Sequence, residues 1–171
     1  MGGACVRIRQ LQDGETAPVL AVFAGLQARS RELRFLTPKP RLTPTELCHL
    51  THVDGRDRVA LVAETDEGQV VGIARFVRYA EDDETADVAV AVVDRWQRRG
   101  VGTRLARVLA EHARRVCVHR FAAQILRENE GSLRLMGHVA GDVRTIDADD
   151  QSTEFEITLS GPEPAVAQNT Q

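Results

Sequence analysis

The chain has 171 residues, enough for one sizeable core and few for two, so a single domain over residues 1–160 is expected. Hydrophobic residues make up 43% and charged residues 27%, close to globular averages, which leaves function to pattern rather than composition. The formal net charge of -3 argues against a dedicated nucleic-acid binder, and no apolar run approaches the roughly 20 residues of a membrane span.

The first residues, Met1 to Val6, have no apolar stretch behind them and carry Val6 where a myristoylation motif needs Ser or Thr, so neither a leader nor a lipid anchor is expected. Cys5, Cys48 and Cys117 are odd in number and widely spaced, which suits neither a disulfide framework nor a metal site. They read as buried or inert reduced thiols of a cytoplasmic protein.

Along the chain, residues 6–9 alternate apolar and polar, as a half-buried strand does. Val19, Leu20, Val22, Phe23, Leu26 and Leu33 recur at helical spacing over residues 15–33, predicting one helix with a break near Ser30. Pro38 and Pro40 force a loop over residues 35–41. Thr43-Pro44-Thr45-Glu46 then opens a helix with a capping box and a first-turn proline. Residues 59–63 and 70–77 are β-rich runs joined by Asp66-Glu67-Gly68, an antiparallel hairpin pattern. Residues 87–93 form a nearly continuous apolar strand, of the kind covered on both faces.

An amphipathic helix follows over residues 101–116, with Val101, Leu105, Val108, Leu109, His112 and Val116 on one stripe. Residues 121–126 are a further strand, Asn129 can cap a short helix, and residues 142–146 and 155–159 read as a closing hairpin. Residues 161–171 are Pro-, Ala- and Gln-rich, a composition of disorder. The order predicts an α/β protein with a mixed sheet and helices on both faces.

Between the apolar strand and the amphipathic helix stands Gln97-Arg98-Arg99-Gly100-Val101-Gly102-Thr103. A glycine-rich turn there leaves backbone N–H groups unpaired and aims the positive end of the helix at one spot, a fit for a diphosphate. Gly100 and Gly102 allow close approach, and Arg98 and Arg99 add charge. The run lacks the Gly-Lys-Ser/Thr ending of a P-loop and the third glycine of the dinucleotide fingerprint.

With Gln97, Gly100 and Gly102 at Gln-x-x-Gly-x-Gly spacing in this strand-turn-helix context, the chain resembles the GNAT superfamily of acyl-CoA N-acyltransferases. Residues 30–42, 56–63 and 86–97 are similar to the acetyltransferase domain of Pat-type bacterial protein lysine acetyltransferases, which often carry a regulatory domain for which this length leaves no room. The resemblance implies a mostly antiparallel sheet splayed between its fourth and fifth strands. It implies acetyl-CoA as acyl donor, with no metal. Backbone groups of Val90, Ala91 and Val92 would hold the pantetheine arm, the turn from Gln97 through Arg98, Arg99, Gly100, Val101 and Gly102 to Thr103 the pyrophosphate, and Asn129 a place near the cofactor.

The acceptor it implies is a primary amine, on a protein lysine, a small molecule or an N-terminus; a non-catalytic acyl-CoA-binding module is the contrasting reading. Oligomeric state stays open. A lysine amine with pKa about 10.4 is neutral in only about one molecule in 2,500 at pH 7, so a carboxylate base is needed. The Pat-type pattern places a glutamate at the start of the fourth strand; here the matching residue is Asp87, with Glu84 in reserve. Aspartate sits about 1.5 Å further back, a gap that one water bridges. Met136 occupies the position where many family members have a proton-donating tyrosine, and Tyr79, the only tyrosine, has no matching role. The basic stretch from Arg29 to Arg41 is expected over the acceptor entrance, with Lys39, the only lysine, overhanging it.

Overall fold

The computed structural model describes residues 5–159 and 161. The expectations for residues 1–4 and for nearly all of the tail lie outside them. The chain runs β1 (Val6–Gln10), α1 (Thr16–Gly25), α2 (Ala28–Phe35), α3 (Pro44–Thr51), β2 (Arg58–Thr65), β3 (Val70–Arg78), β4 (Thr85–Val92), a 3-10 turn (Asp94–Trp96), α4 (Val101–Arg115), β5 (Arg120–Leu126), α5 (Glu130–Met136), β6 (Ala140–Ala148) and β7 (Ser152–Leu159). The strands form one sheet in the order β1-β2-β3-β4-β5-β7-β6. Every neighbouring pair is antiparallel except β4 and β5, which are parallel.

Helix α4 covers one face. Leu105 and Leu109 are fully buried against Phe76 and Phe121 of the sheet. Ala106, Ala110 and Ala113 share that buried face, while Val108 and Val116 are only half-buried. The observed stripe is thus rotated from the predicted one, because small alanines let the helix axis approach the sheet. The other face is covered by α1 and α3, with Leu11, Val19, Ala60 and Val62 packed against Leu47 and Leu50.

The long first helix is in fact two. It stops at Leu26, and Gln27 caps α2, three residues before the expected break at Ser30. At α3 the capping box forms as predicted: Glu46 N donates to Thr43 Oγ1 at 3.2 Å, and Thr43 N donates back to Glu46 Oε2 at 2.8 Å, an arrangement worth about 1 kcal/mol. The thiols of Cys5, Cys48 and Cys117 are free and exposed, which sets aside the buried half of the expectation of buried or inert reduced thiols.

Candidate active site

Strands β4 and β5 pair only over Thr85↔Arg120, Ala86↔Phe121 and Asp87↔Ala122, and beyond Asp87 they separate. The apolar strand β4 is covered on both faces as expected, Val88 packing with the α4 core and Ala91 with Val22 and Leu26; what the parting opens is its edge, where Val90 and Val92 are half-buried. The gap opens into a cleft of about 570 Å³, walled by α2, β4, the 97–103 turn, β5 and α5. A shallower hollow of about 770 Å³ lies where α1 meets the β2–β3 turn, touching neither Asp87 nor the glycine turn. Its greater size gives it no reacting group.

Val93 N donates to Val71 O at 3.0 Å. Backbone groups alternate direction along a strand, so those of Val90 and Val92 face the gap while those of Ala91 face β3. This corrects the expectation for Ala91, whose side chain instead packs with Val22, Leu26 and Val93. Gln97 has contacts within the turn as well. Its amide nitrogen donates to Val92 O at 3.0 Å and lies 3.3 Å from Asp94 Oδ1, so its side chain braces the turn while the residue lines the cleft.

The turn itself has the form expected of an anion site. Arg98 and Gly100 both adopt left-handed backbone, with φ of 58° and 79°, a conformation that costs an ordinary L-residue about 1–2 kcal/mol and glycine little. No acceptor meets the N–H groups of Arg98 through Thr103 among the described residues, and Gly100, the N-cap of α4, makes no side-chain cap. These donors stand at the positive end of a 15-residue helix. A Cβ on Gly102 would meet Val92 Cγ2 at 3.5 Å and Leu135 at 3.9 Å, ordinary contact distances. The fold therefore tolerates a side chain there, and the open space lies toward the cleft. Val101 offers only its N–H, its side chain being in the core. Asn129 lines the cleft and caps α5, accepting from Ser132 N at 3.1 Å. These features fit a pantetheine diphosphate.

The opposite wall is made of side chains from distant segments. Asp87 lies where the strands part, and Arg34 of α2 lines the same cleft. The Asp87 surface is open to the cleft, yet the protein around it removes enough solvent to raise its pKa above the usual aspartate range. The guanidinium charges of Arg34 and Arg75 oppose that rise and Glu154 adds to it. Arg34 is pushed down to about 10 by desolvation and by Arg75, against the pull of Asp87. Tyr79 is raised, by desolvation first and then by Asp87 and Glu154.

Sequence reading missed Arg34, Arg75, Tyr79 and Glu154 as a group, since they come from three separate elements or their ends. It also missed Asp94, which accepts from Gln27 N at 2.7 Å and from the Ser30 hydroxyl. Asp94 thereby ties the start of α2 to the glycine turn and places the helix break at residue 27.

Two expectations turn on position. Glu84 is not in the cleft wall; it is exposed and paired with Arg120 at 3.1 Å. Lys39 is outside the cleft lining: its ammonium pairs with Glu46 and lies over the ring of Phe35, which does line the cleft. Met136 lines the cleft as expected and has no proton to donate. Among the described residues no cluster of His, Cys, Asp and Glu is arranged to hold a metal, and no helix is long and apolar enough to cross a membrane.

A splayed sheet with a bare helix N-terminus at one end and an isolated carboxylate at the other defines an acyl-CoA-dependent transferase, and the chain belongs to the Acetyltransferase (GNAT) family, whose pattern matches residues 26–141. It is similar to Acetyltransferase Pat of Mycolicibacterium smegmatis, with 37% identity over 89 residues, which are 52% of this chain and 27% of that protein. The match thus spans about a quarter of that relative's length. The structure is similar to the GNAT domain of S. lividans PAT, with a TM-score of 0.80 and 27% identity over 90% of each chain. It shares its fold with yncA from Salmonella typhimurium, solved with its cofactor acetyl-CoA, at a TM-score of 0.64 and 20% identity over 91% of this chain and 94% of that one.

Proposed function

We propose that this acetyltransferase moves the acetyl group of acetyl-CoA to a primary amine, a lysine side chain of a protein, as a single cytoplasmic domain over residues 1–160. The observation that carries the reading is the gap beyond Asp87, which joins the unpaired N–H run of Arg98 to Thr103 to a carboxylate with a raised pKa. The similarity to Acetyltransferase Pat supports lysine as acceptor. The free, exposed cysteines suit a reducing compartment.

The donors of residues 98–103 and the charges of Arg98 and Arg99 would hold the diphosphate, with Asn129 beside it. The gap-facing groups of Val90 and the N–H of Val92 would align the arm toward Asp87. When bound, acetyl-CoA supplies an activated acyl carbon and a thiolate leaving group. Asp87, directly or through one water, accepts the proton of the acceptor ammonium and so makes its lone pair available. Desolvation favours this, since a carboxylate with a raised pKa is a stronger base. No side chain in the position of Met136 returns a proton, so the thiolate leaves as such or takes one from water.

An acceptor screen tests the proposal. Purified chain and acetyl-CoA are incubated with lysine peptides, protein extracts and small amines, and free thiol and acetylation are read in parallel. Thiol release matched by acetylated lysine is expected. Thiol release with no amine in the mixture acetylated would refute amine transfer.

A further inference from the structure

We propose that the acceptor carries a carboxylate beside its amine, and that Arg34, backed by Arg75, is the group that binds it. This deepens the preceding reading and rests on the cleft being the amine site.

The basic stretch over residues 29–41 looks uniform in sequence, but in the fold its charges are engaged one by one. Arg29 pairs with Glu32 at 2.7 Å and with Glu128. Arg31 donates to Phe23 O at 3.2 Å and stacks over the Phe23 ring at 4.3 Å. Lys39 is held by Glu46, and Arg41 points to solvent. Arg34 differs. It is half-buried in the cleft wall and makes no hydrogen bond or ion pair among the described residues, its one ring contact being with its neighbour Phe35 at 5.0 Å. Its guanidinium nitrogens are not sealed off, the one buried side-chain nitrogen without a hydrogen bond among the described residues being Arg78 Nε, so they stand free to take an acceptor from the cleft.

Arg75 adds a second positive charge. It lies on β3 opposite Ala89 of β4, and its own contact is a donation to His49 O at 3.3 Å. Burial lowers the proton affinity of both guanidiniums, and like charge adds to it, Arg75 acting on Arg34 and Arg58 on Arg75. Asp87 is near enough to be felt by both but is ion-paired with neither. Arg34 and Asp87 line the cleft, and within electrostatic reach of Asp87 stand Arg75 on the β3 side and, on the other, Glu154 of β7, opposite Gln124 in the β5–β7 register. A lone anion would satisfy the arginines and be repelled by Asp87 and Glu154. A lone amine would do the reverse. An amine with a nearby carboxylate meets both, its ammonium at Asp87 and its carboxylate in the planar fork of Arg34.

Such a carboxylate has two sources, a free amino acid or an acidic residue flanking a lysine in a protein. The test measures kcat/KM for two matched pairs at equal concentrations of neutral amine. One pair is free lysine and lysinamide; the other is a lysine peptide with a neighbouring Asp and the same peptide with Asn. In one pair the carboxylate member is expected to be better by about tenfold or more, the effect of a hydrogen bond to a charged group, and that pair identifies the source. In Arg34→Gln the ratio should fall below about twofold, and in Arg34→Lys it should be partly kept. A role in folding alone would lower both members of a pair equally. Equal rates within both pairs, or a ratio that survives Arg34→Gln, overturn the inference while leaving amine acetylation in place. Failure to acetylate any amine removes both.

Discussion

The wall of the cleft proposed to face the acyl donor is built from one continuous stretch, Val90 to Thr103, whereas the wall proposed to face the acceptor draws on side chains of α2 and β4 with charges from β3 and β7 nearby. The first is held by short-range geometry: a strand end, two left-handed residues and a helix start. Its ligand chemistry follows from unpaired N–H groups, which any sequence able to make the turn would present. The second exists only because Arg34, Arg75, Asp87 and Glu154 are carried to one place by the sheet and by the break between α1 and α2. Donor binding should thus tolerate side-chain changes that leave the turn intact, and acceptor chemistry should be sensitive to single side chains.

The largest expected effect tests this division at Asp87. Asp87→Asn should lower turnover about 10²–10⁴-fold at neutral pH while leaving acetyl-CoA affinity nearly unchanged, and much of the loss should return at high pH, where more amine is already neutral. In the native protein Asp87 must be ionised to act. Activity should fall as pH drops through its pKa, at a pH above that of an ordinary aspartate, because desolvation raises it. Removing the Arg34 charge, which opposes that rise, should move this acid limb to still higher pH. Normal turnover by Asp87→Asn at pH 7 would place the base elsewhere.

The donor wall gives the next effect. Acetyl-CoA at one hundred times its dissociation constant should stabilise the chain by about 2.7 kcal/mol and raise the melting midpoint by roughly 5–10 °C. Gly102→Val should abolish that rise while the apoprotein stays folded, since a Cβ there meets only ordinary contacts. Thermal melts with and without millimolar acetyl-CoA decide it, and an undiminished shift in the variant would mean the diphosphate lies elsewhere.

The smallest effect concerns the joint between the walls. Asp94→Ala frees Gln27 N and the Ser30 hydroxyl from the glycine turn, which should cost about 1–2 kcal/mol and lower the midpoint by a few degrees. Loosening α2 carries Arg34 away from Asp87, so the acceptor KM should rise by more than that of acetyl-CoA. Equal rises in both would show that Asp94 serves the fold alone.

The elements with short-range causes were legible beforehand. Pro44 and Glu46 mark the start of α3, Asn129 that of α5, and two β-rich runs joined by Asp66-Glu67-Gly68 mark the β2–β3 hairpin. Gln97 was found by its spacing, but its contact with Val92 O was not, because a motif position does not state which partner a side chain meets. The break at Leu26–Gln27 was misplaced for a related reason: Asp94, 67 residues away along the chain from Gln27, captures the free end of α2, and nothing local at residue 27 signals it.

Chain order, the apolar strand, the glycine turn and the helix after it were determined by the amino-acid sequence, since each depends on neighbours within a few residues and on period and φ preferences. The parting of β4 from β5 after Asp87, the insertion of β7 between β5 and β6, and the pairing of Lys39 with Glu46 while Arg34 is left alone were decided only by tertiary structure. They depend on which surfaces meet across the sheet, and the charge that a residue keeps or loses is set by those meetings rather than by its place in the chain.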